Sequence, residues 1–328
     1  MVTTWPRGTV GLSAAAERLA KRITQASAGR LTVKLFAANE LVKAFDSFEA
    51  VSSGKAEMYH AAEYYWQNKH KGFNFFATVP LGMTSQELEA WVHFGGGQQL
   101  WDELAGQFNL KCLMAANTGV QMGGWFKDPI RSAADFKNLK MRIPGLGGEV
   151  VRRMGGTAIT LPGGEIFNSL KSGKINATEW VGPYMDKDFG LHKILKNYMF
   201  PGFHEPGTCL SLGINRTFWD NLPEDDRVLI QACASAENDI SMAEFTARNG
   251  LSLADLTQNY GIKLRIFPRD VWKSLAKISG EVVREVASID RLGQRIYQSF
   301  DDFQKRISFY QQISEVSFSA YRALALDR

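Results

Sequence analysis

The sequence predicts an α/β protein built from two domains. Strand-like and helical segments alternate over about the first sixty residues in the order β-α-β-α-β, which is typical of an α/β layer. A second series of short strands and helices follows between residues 123 and 180. The chain has 328 residues, more than one domain usually holds. These observations favour two α/β units over one.

The first unit contains three predicted strands and two predicted helices. Apolar residues recur at helical spacing from Leu12 to Ile23, and Gly29 ends that helix. The strands are predicted at residues 1–6, 31–36 and 57–60, and the second helix at residues 45–53. The aromatic cluster Tyr64-Tyr65-Trp66 follows the third strand. We expect this cluster to open on a cleft, because ligands bind where the strands of an α/β sheet end.

The middle of the chain continues the alternation. One helix is predicted over residues 84–107, with Thr84 and Glu87 able to cap its start, followed by a strand at 110–116. The second unit is predicted to have strands at 123–126, 140–143, 158–161 and 176–180 and helices at 148–154 and 164–171. Beyond it, a strand at 210–215 is expected to return to the first domain, before a helical stretch at 223–259 and a strand at 263–267.

We expect the domain boundary near Gln121. The predicted division gives the first domain residues 1–121 with 211–259, the second domain residues 122–210 with 260–300, and a C-terminal helix residues 301–328.

The C-terminal helix carries an apolar stripe. Phe303, Ile307, Tyr310 and Ile313 keep a helical spacing along it. A helix over about residues 301–325 extends about 37 Å at roughly 1.5 Å per residue, which is longer than one small domain is wide. Such a stripe usually packs on its own chain, and a contact between two copies is the alternative. We favour a homodimer through this helix.

Composition excludes several classes of protein. Hydrophobic residues make up 45% and charged residues 22% of the chain, as in soluble globular proteins. No apolar run approaches the roughly 18 residues of a membrane span. The net charge of +4 is spread along the chain and does not indicate nucleic-acid binding. Cys112, Cys209 and Cys233 lack metal-ligand spacing and are expected as small buried hydrophobes.

Four segment ends rich in glycine and proline each carry one polar side chain. These side chains are Gln121, Arg142, Glu179 and Glu205. Glu179 stands just before a Gly-Pro turn, where a buried acid needs a cation or a hydrogen-bond donor. Arg142 offers a planar fork that matches a carboxylate through two parallel hydrogen bonds, although a surface ion pair is equally typical of an arginine.

Two chemistries fit this set of residues. Glu179 and Glu205 can act as the acid and base of an enzyme, as paired carboxylates do in glycosidases. Alternatively, both carboxylates, the amide oxygen of Gln121 and backbone carbonyls form an all-oxygen set that suits a hard cation. The five histidines show no metal-ligand spacing, and no nucleophile stands in a recognisable motif. A cation beside Arg142 would make a site for a small organic anion.

A glycine-rich run suggests a nucleotide site only weakly. Gly145, Gly147 and Gly148 follow a predicted strand and open a helix, but Val150 stands where a dinucleotide fingerprint has its third glycine. We therefore interpret the run as a tight turn between strand and helix.

Several long motifs resemble one known family. The segments are residues 118–125, 141–149, 161–166, 177–184 and 203–208. They resemble the periplasmic solute-binding proteins of tripartite ATP-independent periplasmic (TRAP) transporters, in the branch that binds 2-oxo acids such as pyruvate, or lactate. The resemblance covers essentially the whole chain. It implies a two-domain clamshell with chain crossovers, a long helix across both domains, and no enzymatic activity.

The resemblance also implies a role for each candidate residue. Arg142 matches the arginine that holds the substrate carboxylate, and Tyr65 corresponds to an aromatic wall from the other domain. The implied metal ligands are the side chains of Gln121, Glu179 and Glu205 and the backbone carbonyl of Trp180. In one departure, Met185 stands where relatives have an asparagine, so a side-chain hydrogen bond from that position is lost.

The implied cation can be argued from charge. Glu179, Glu205 and a substrate carboxylate carry three negative charges, and Arg142 returns one positive charge. Ca²⁺ would make the closed cleft neutral, whereas Na⁺ would leave a negative charge in a desolvated place. We favour Ca²⁺, with Na⁺ as the alternative. The implied partners are the small acid and a membrane permease, and the implied location is the periplasm, with a signal peptide already removed.

Overall fold

The computed structural model of the chain describes residues 1–326 and contains two β-sheets flanked by helices. The strands are β1 (Val2–Thr3), β2 (Met58–Ala61), β3 (Leu110–Asn117), β4 (Gly124–Phe126), β5 (Lys140–Arg142), β6 (Thr157–Ile159), β7 (Ala177–Thr178), β8 (Asn197–Phe200), β9 (Cys209–Asn215) and β10 (Lys263–Ile266). The first sheet has the order β1-β2-β9-β3 and the second the order β10-β8-β4-β7-β5-β6.

Each sheet is parallel except for one strand. In the first sheet β9 runs antiparallel to both of its neighbours, β2 and β3. In the second sheet β4 runs antiparallel to β7 and β8, and the remaining neighbours are parallel. Each of the two exceptional strands follows a loop by which the chain crosses between the sheets. These two loops, the β3–β4 and β8–β9 connections, lie side by side, and a third crossing runs from β9 through two helices within residues 216–259 to β10.

Helices cover both sheets. They are α1 (Leu12–Ala26), α2 (Ser47–Ser52), α3 (Ser85–Phe94), α4 (Gly97–Gly106), α5 (Gly145–Arg153), α6 (Gly163–Lys171), α7 (Pro183–Asp188), α8 (Arg216–Asp220), α9 (Glu224–Asn259), α10 (Arg269–Arg284), α11 (Arg291–Gln311) and α12 (Ser317–Ala325). Within the described residues no helix is long and apolar enough to cross a membrane.

The long helix α9 connects the two halves of the molecule. Its Glu237 forms an ion pair with Arg18 of α1, at 2.7 Å, beside the first sheet. Its Asp255 forms an ion pair with Lys187 of α7, at 2.5 Å, beside the second sheet. The helix α9 therefore contacts one helix beside each sheet and links the two halves of the molecule.

Most predicted elements are present, but residues 31–36 do not form a strand. Only Phe36 makes a parallel bridge, with Val2. The cause lies in the preceding helix and turn, because their hydroxyl groups accept hydrogen bonds from backbone amides that would otherwise pair with a neighbouring strand. Ser27 accepts from the Leu31 amide and Thr24 accepts from the Val33 amide, each at 3.0 Å.

The helix predicted over residues 84–107 is two helices. The capping box of Thr84 and Glu87 is present at the start of α3. The break falls at Gly95 and Gly96, where Gly96 adopts a left-handed conformation with φ of 88°. A Cβ at Gly95 would lie 2.7 Å from the ring of Phe303, so α11 packs directly against the break.

The terminal helix begins earlier than predicted. It starts at Arg291 and continues through a π-helical turn (Gln312–Val316) to Ala325. One face of its first half is buried: the Phe300 ring lies 5.0 Å from the Phe75 ring and 5.2 Å from the Trp91 ring. Its second half exposes apolar side chains, as described below. The predicted domain ranges and the boundary near Gln121 stay predictions. The same holds for a separate C-terminal helix over residues 301–328, of which residues 327 and 328 lie outside the described part.

Candidate functional site

Arg142 and Glu179 lie next to each other at the carboxyl ends of two parallel strands. Arg142 ends β5 and pairs in register with Thr178, the last residue of β7, so Glu179 follows at the same edge. The guanidinium Nη1 contacts Glu179 Oε1 in an ion pair, and Nε donates to the carbonyl of Leu161 at 3.1 Å. Each side chain is only 1% exposed. The predicted arginine is therefore a buried group and not part of a surface ion pair.

Gln121 and Glu205 lie on the two neighbouring loops that connect the sheets, β3–β4 and β8–β9. The Gln121 amide donates to the Glu205 carbonyl at 3.1 Å, and the Gln121 side-chain Nε2 donates to Glu205 Oε2 at 2.8 Å. Thr118 and Thr208 complete this group: both hydroxyls accept from Gln121 at 3.1 Å, and Thr208 also donates to Glu205. The two crossings thus bring an amide and a carboxylate together.

The carboxylates of both groups converge on one point. Ligand atoms of Glu179, His204 and Glu205 all lie within 4.8 Å of one another. Several buried atoms among the described residues have no hydrogen-bond partner, including Gln121 Oε1 and Glu179 Oε2. Two buried carboxylates this close together, one with an oxygen that lacks a donor, are unfavourable unless a cation or a donor lies between them.

Burial and the neighbouring charges shift the pKa values of Glu205 and Arg142. Desolvation, followed by the neighbouring charge of Glu179, raises the pKa of Glu205. Burial is the largest single influence on Arg142 and lowers its pKa, but the neighbouring groups, Glu179 first among them, together outweigh burial and raise that pKa. One guanidinium therefore faces two carboxyl groups, and only one of them is neutralised by it.

Aromatic side chains enclose Arg142 from both halves of the molecule. The ring of Trp180 lies 5.2 Å from the guanidinium carbon. Tyr65 comes from the 3₁₀ turn after β2, in the first sheet, and its hydroxyl lies 3.4 Å from Arg142 Nη2. The structure therefore brings all six predicted residues into one region, namely Tyr65, Gln121, Arg142, Glu179, Trp180 and Glu205.

Three further residues belong to this region that the sequence did not single out. His204 Nε2 lies 3.5 Å from Glu179 Oε2. The spacing of the five histidines did not indicate this residue, and its position next to Glu205 was the one sequence feature that could have pointed to it. Trp5, at the other end of the chain, lies 6.5 Å from the Trp180 ring. Asp186 lies beneath the turn that carries Trp180.

Asp186 positions the turn after Glu179. Its Oδ1 accepts from the amides of Val181 and Gly182, each at 3.1 Å, and its Oδ2 accepts from Trp125 and Tyr198, at 2.8 and 2.6 Å. Burial is the main cause that raises the pKa of Asp186, to about 6. Four donors on one carboxylate fix the backbone on which the Trp180 carbonyl is carried.

Two sequence features have a structural explanation. Gly145 opens α5 with a φ of 61°, and a Cβ at Gly147 would lie 2.8 Å from His204, so these glycines permit a close turn against the site. Met185 is fully buried, and a Cβ at Gly11 would lie 2.9 Å from its sulfur. Met185 therefore fills an apolar contact between α7 and the start of α1.

The fold and this site define a class: two α/β halves joined by crossing segments, with a buried set of polar groups between them, are typical of a binding protein that encloses a small ligand. Comparison with known proteins identifies the class. The family described as bacterial extracellular solute-binding protein, family 7, matches residues 1–289. The chain belongs to this family.

The monocarboxylate 2-oxoacid-binding periplasmic protein of Nostoc sp. (strain PCC 7120) is 37% identical over 321 residues, which cover 98% of this chain and 88% of that protein. Among solved structures, a TRAP transporter solute-binding protein from Bordetella bronchiseptica superposes with a TM-score of 0.97 at 31% identity, covering 100% of this chain and 97% of that one. That structure is a dimer with calcium and picolinate in one active site.

Two further structures were solved with a metal ion and pyruvate. The TRAP solute-binding protein from Colwellia psychrerythraea, with calcium, has a TM-score of 0.93 at 34% identity and covers 98% of both chains. The one from Pseudoalteromonas atlantica, with sodium, has the same TM-score and identity and covers 97% of both chains. The α/β fold expected from the resemblance, with chain crossovers and a long helix, is confirmed by the match to these structures.

Proposed function

We propose that this chain is the solute receptor of a TRAP transporter, which captures a short 2-oxo monocarboxylate such as pyruvate, or the related 2-hydroxy acid lactate, in the periplasm and delivers it to a membrane permease. The observation that carries the proposal is the buried group of Arg142, Glu179, Glu205 and Gln121. Relatives at 34% identity hold pyruvate with a metal ion, which supports the ligand class.

In this proposal Arg142 anchors the substrate carboxylate. Its Nε is already held by the Leu161 carbonyl, which fixes the plane of the guanidinium. The bound acid would take over the positions at Nη1 and Nη2, which in the structure contact Glu179 and Tyr65. A buried arginine with a fixed plane is pre-organised for a carboxylate, which costs less entropy than ordering a flexible cation. Tyr65 and Trp180 then contact the bound acid from opposite sides.

The same group suits one metal ion. We infer that the ion is held by the side chains of Gln121, Glu179 and Glu205 and the backbone carbonyl of Trp180. The partnerless Gln121 Oε1 and Glu179 Oε2 are hard oxygen donors of the kind that Ca²⁺ and Na⁺ prefer. When bound, the ion supplies positive charge to the acid's oxygens. Relatives contain either calcium or sodium, and charge balance favours Ca²⁺ here.

Charge also requires the acid and the ion to bind together. Glu179 neutralises Arg142 in the structure, so an acid at Arg142 adds a negative charge beside Glu179 and Glu205. In a desolvated site that excess charge is costly unless a cation compensates it. The metal therefore makes Arg142 available to the acid.

The cleft is proposed to lie between two domains that correspond to the two sheets, with the residue ranges given above. Tyr65 belongs to the first side and Arg142 to the second, and they approach to 3.4 Å. Contact across the gap fits a receptor that closes on its ligand, with affinity set partly by the equilibrium of closure.

The main alternative is a metal-dependent enzyme that uses Glu179 and Glu205 as acid and base. The family consists of solute-binding proteins, which favours a receptor that releases its ligand unchanged. A thermal-shift screen of small mono- and dicarboxylates, with Ca²⁺, with Na⁺ and with a chelator, tests the assignment. The proposal predicts the largest stabilisation with pyruvate or lactate and a metal ion. Recovery of chemically converted acid after incubation would support the enzyme instead.

We also propose a homodimer through the terminal helix. Eight apolar side chains between residues 309 and 326 are at least half exposed: Phe309, Tyr310, Ile313, Val316, Phe318, Tyr321, Leu324 and Leu326. A helix that exposes this many apolar side chains usually marks an interaction site, and aromatic residues are enriched in interface cores. The Bordetella relative is a dimer, which supports a second copy of this chain as the occupant.

Sedimentation equilibrium tests the dimer. Truncation after Gln311 removes six of the eight exposed apolar side chains while keeping the buried contacts of Phe300, so the shortened chain is expected to fold and to be monomeric at micromolar concentration. As a point-mutation test, Ile313→Glu should also give a monomer. Leu251→Glu, at an exposed apolar position on α9, is the matched control and should stay dimeric. A monomeric full-length chain would rule the dimer out.

A further inference from the structure

Trp5 is a buried residue that comes from the opposite side of the cleft to Arg142. It follows β1 of the first sheet, and its side chain is 1% exposed. The next residue, Pro6, lies 3.8 Å from the position of a Cβ at Gly164, in α6 of the second sheet. The segment that carries Trp5 therefore faces the half of the molecule that holds Arg142.

Trp5 is held at both its backbone and its ring. Its amide donates to the Thr3 hydroxyl at 3.3 Å, and its carbonyl accepts from Ala38 at 2.9 Å. Its indole Nε1 donates to His60 Nδ1 at 2.8 Å. His60 is fully buried on β2, so it is a rigid acceptor. The ring of Trp5 thus has one fixed orientation and cannot rotate away without losing a buried hydrogen bond.

Three aromatic rings form a wall beside the guanidinium. The Trp5 ring lies 6.2 Å from the Tyr65 ring and 6.5 Å from the Trp180 ring, and the Trp5 and Trp180 planes are inclined by 75°. Tyr65 and Trp180 in turn contact Arg142. Glu179, Glu205 and Gln121 occupy the polar side of the same space. An acid anchored at Arg142 must therefore direct its carbon chain toward the aromatic side, because apolar groups are unfavourable among the carboxylates.

We propose that Trp5 is the residue that limits the length of the substrate's carbon chain, an inference that rests on the proposed capture of 2-oxo acids at Arg142. The indole closes the end of the aromatic wall, and the His60 hydrogen bond prevents it from yielding. A short substrate carbon chain fits beside the Trp5 indole, whereas each further methylene group would clash with the indole. Trp5 makes no bond to the carboxylate or to the metal ligands, so it selects among acids without anchoring them.

Calorimetry with a series of acids tests this assignment. Pyruvate, 2-oxobutanoate and 2-oxopentanoate are titrated into wild-type protein, Trp5→Leu and Trp5→Phe, all with Ca²⁺. The measured quantity is the ratio of each longer acid's affinity to that of pyruvate. A methylene group in an apolar pocket changes affinity about ten-fold or more. We expect the ratio for 2-oxopentanoate to increase at least about ten-fold in Trp5→Leu and by a smaller factor in Trp5→Phe.

Controls separate this inference from the proposed function and from a general loss of stability. Trp101→Phe changes a buried tryptophan that stacks on Phe76, 5.0 Å away, and should leave the ratio unchanged. If Trp5→Leu does not fold, Trp5→Phe decides. Ratios that are unchanged in the folded variants would overturn the role of Trp5 while wild-type pyruvate binding stays intact. Failure of the wild-type protein to bind any of the three acids would instead overturn the proposed function.

Discussion

At the scale of single residues, the site depends on groups that are buried in charged form. Arg142 and Glu179 stabilise each other, and removal of either would leave an uncompensated charge in the interior. The sequence identified these side chains because each stands at a segment end next to glycine or proline. It could not identify Trp5, His204 or Asp186, because their roles depend on contacts between segments far apart in the chain.

Arg142→Lys tests the anchoring role. Lysine keeps the positive charge but cannot bond the Leu161 carbonyl and a carboxylate in one plane. We expect the binding free energy of pyruvate to weaken by more than about 1.5 kcal/mol, as measured by calorimetry. Arg152→Lys, at an arginine that is half exposed on α5, is the matched control. Wild-type affinity in Arg142→Lys would refute the assignment.

Glu63 gives a stability prediction that is independent of the site. This buried acid accepts from the Tyr59 and Ser211 hydroxyls, and desolvation is the largest cause that raises its pKa from 4.5 to about 7. The folded state therefore binds a proton more tightly than the unfolded chain. The resulting stabilisation is complete below about pH 4.5 and is lost as the pH rises through about 7.

Glu63→Gln removes that titration while keeping an acceptor of similar shape. Urea unfolding at pH 5 and pH 8 should show that the stability difference between the two pH values shrinks by on the order of 1–3 kcal/mol relative to wild type. Glu165→Gln, at an exposed acid on α6, serves as the control. An identical pH dependence in wild type and Glu63→Gln would contradict the burial argument.

At the scale of elements, local sequence patterns predicted most helices and strands, including the capping box at α3 and the return of the chain in β9. Two errors share a physical cause, since in both places tertiary or side-chain contacts decided the backbone. Hydroxyls near the end of α1 take the amides of Leu31 and Val33, and the packing of Phe303 accompanies the break at Gly95. Neither contact is visible in hydrophobic periodicity.

The break between α3 and α4 yields a matched pair of substitutions. Gly96 has a φ of 88°, and a Cβ there would meet nothing within 4 Å, so Gly96→Ala introduces backbone strain alone. We expect a loss of about 1 kcal/mol in the free energy of unfolding. Gly280→Ala, inside α10 and equally free of contacts, should instead stabilise by about 0.5–1 kcal/mol. Equal changes in the free energy of unfolding for Gly96→Ala and Gly280→Ala would show that the break between α3 and α4 does not depend on the left-handed conformation of Gly96.

At the scale of the whole molecule, the two loops that cross between the sheets, β3–β4 and β8–β9, explain why the site lies where it does. Gln121 is on one crossing and Glu205 on the other, and their amide and carboxylate are joined at 2.8 Å. Arg142 and Glu179 arrive from adjacent strand ends of the second sheet. Periodicity could predict the strands but not that the two loops would be neighbours. The resemblance to TRAP receptors implied chain crossovers and a shared metal for Gln121 and Glu205, and the structure adds that the two loops lie side by side.

The central claim is that metal and acid bind as one unit between these crossings. Calorimetric titration of pyruvate into Ca²⁺-loaded and into chelated protein tests it most directly. The account predicts that removal of the metal weakens pyruvate binding at least about ten-fold, and that pyruvate tightens Ca²⁺ by the same factor, as linkage requires. Equal pyruvate affinity with and without metal would contradict it.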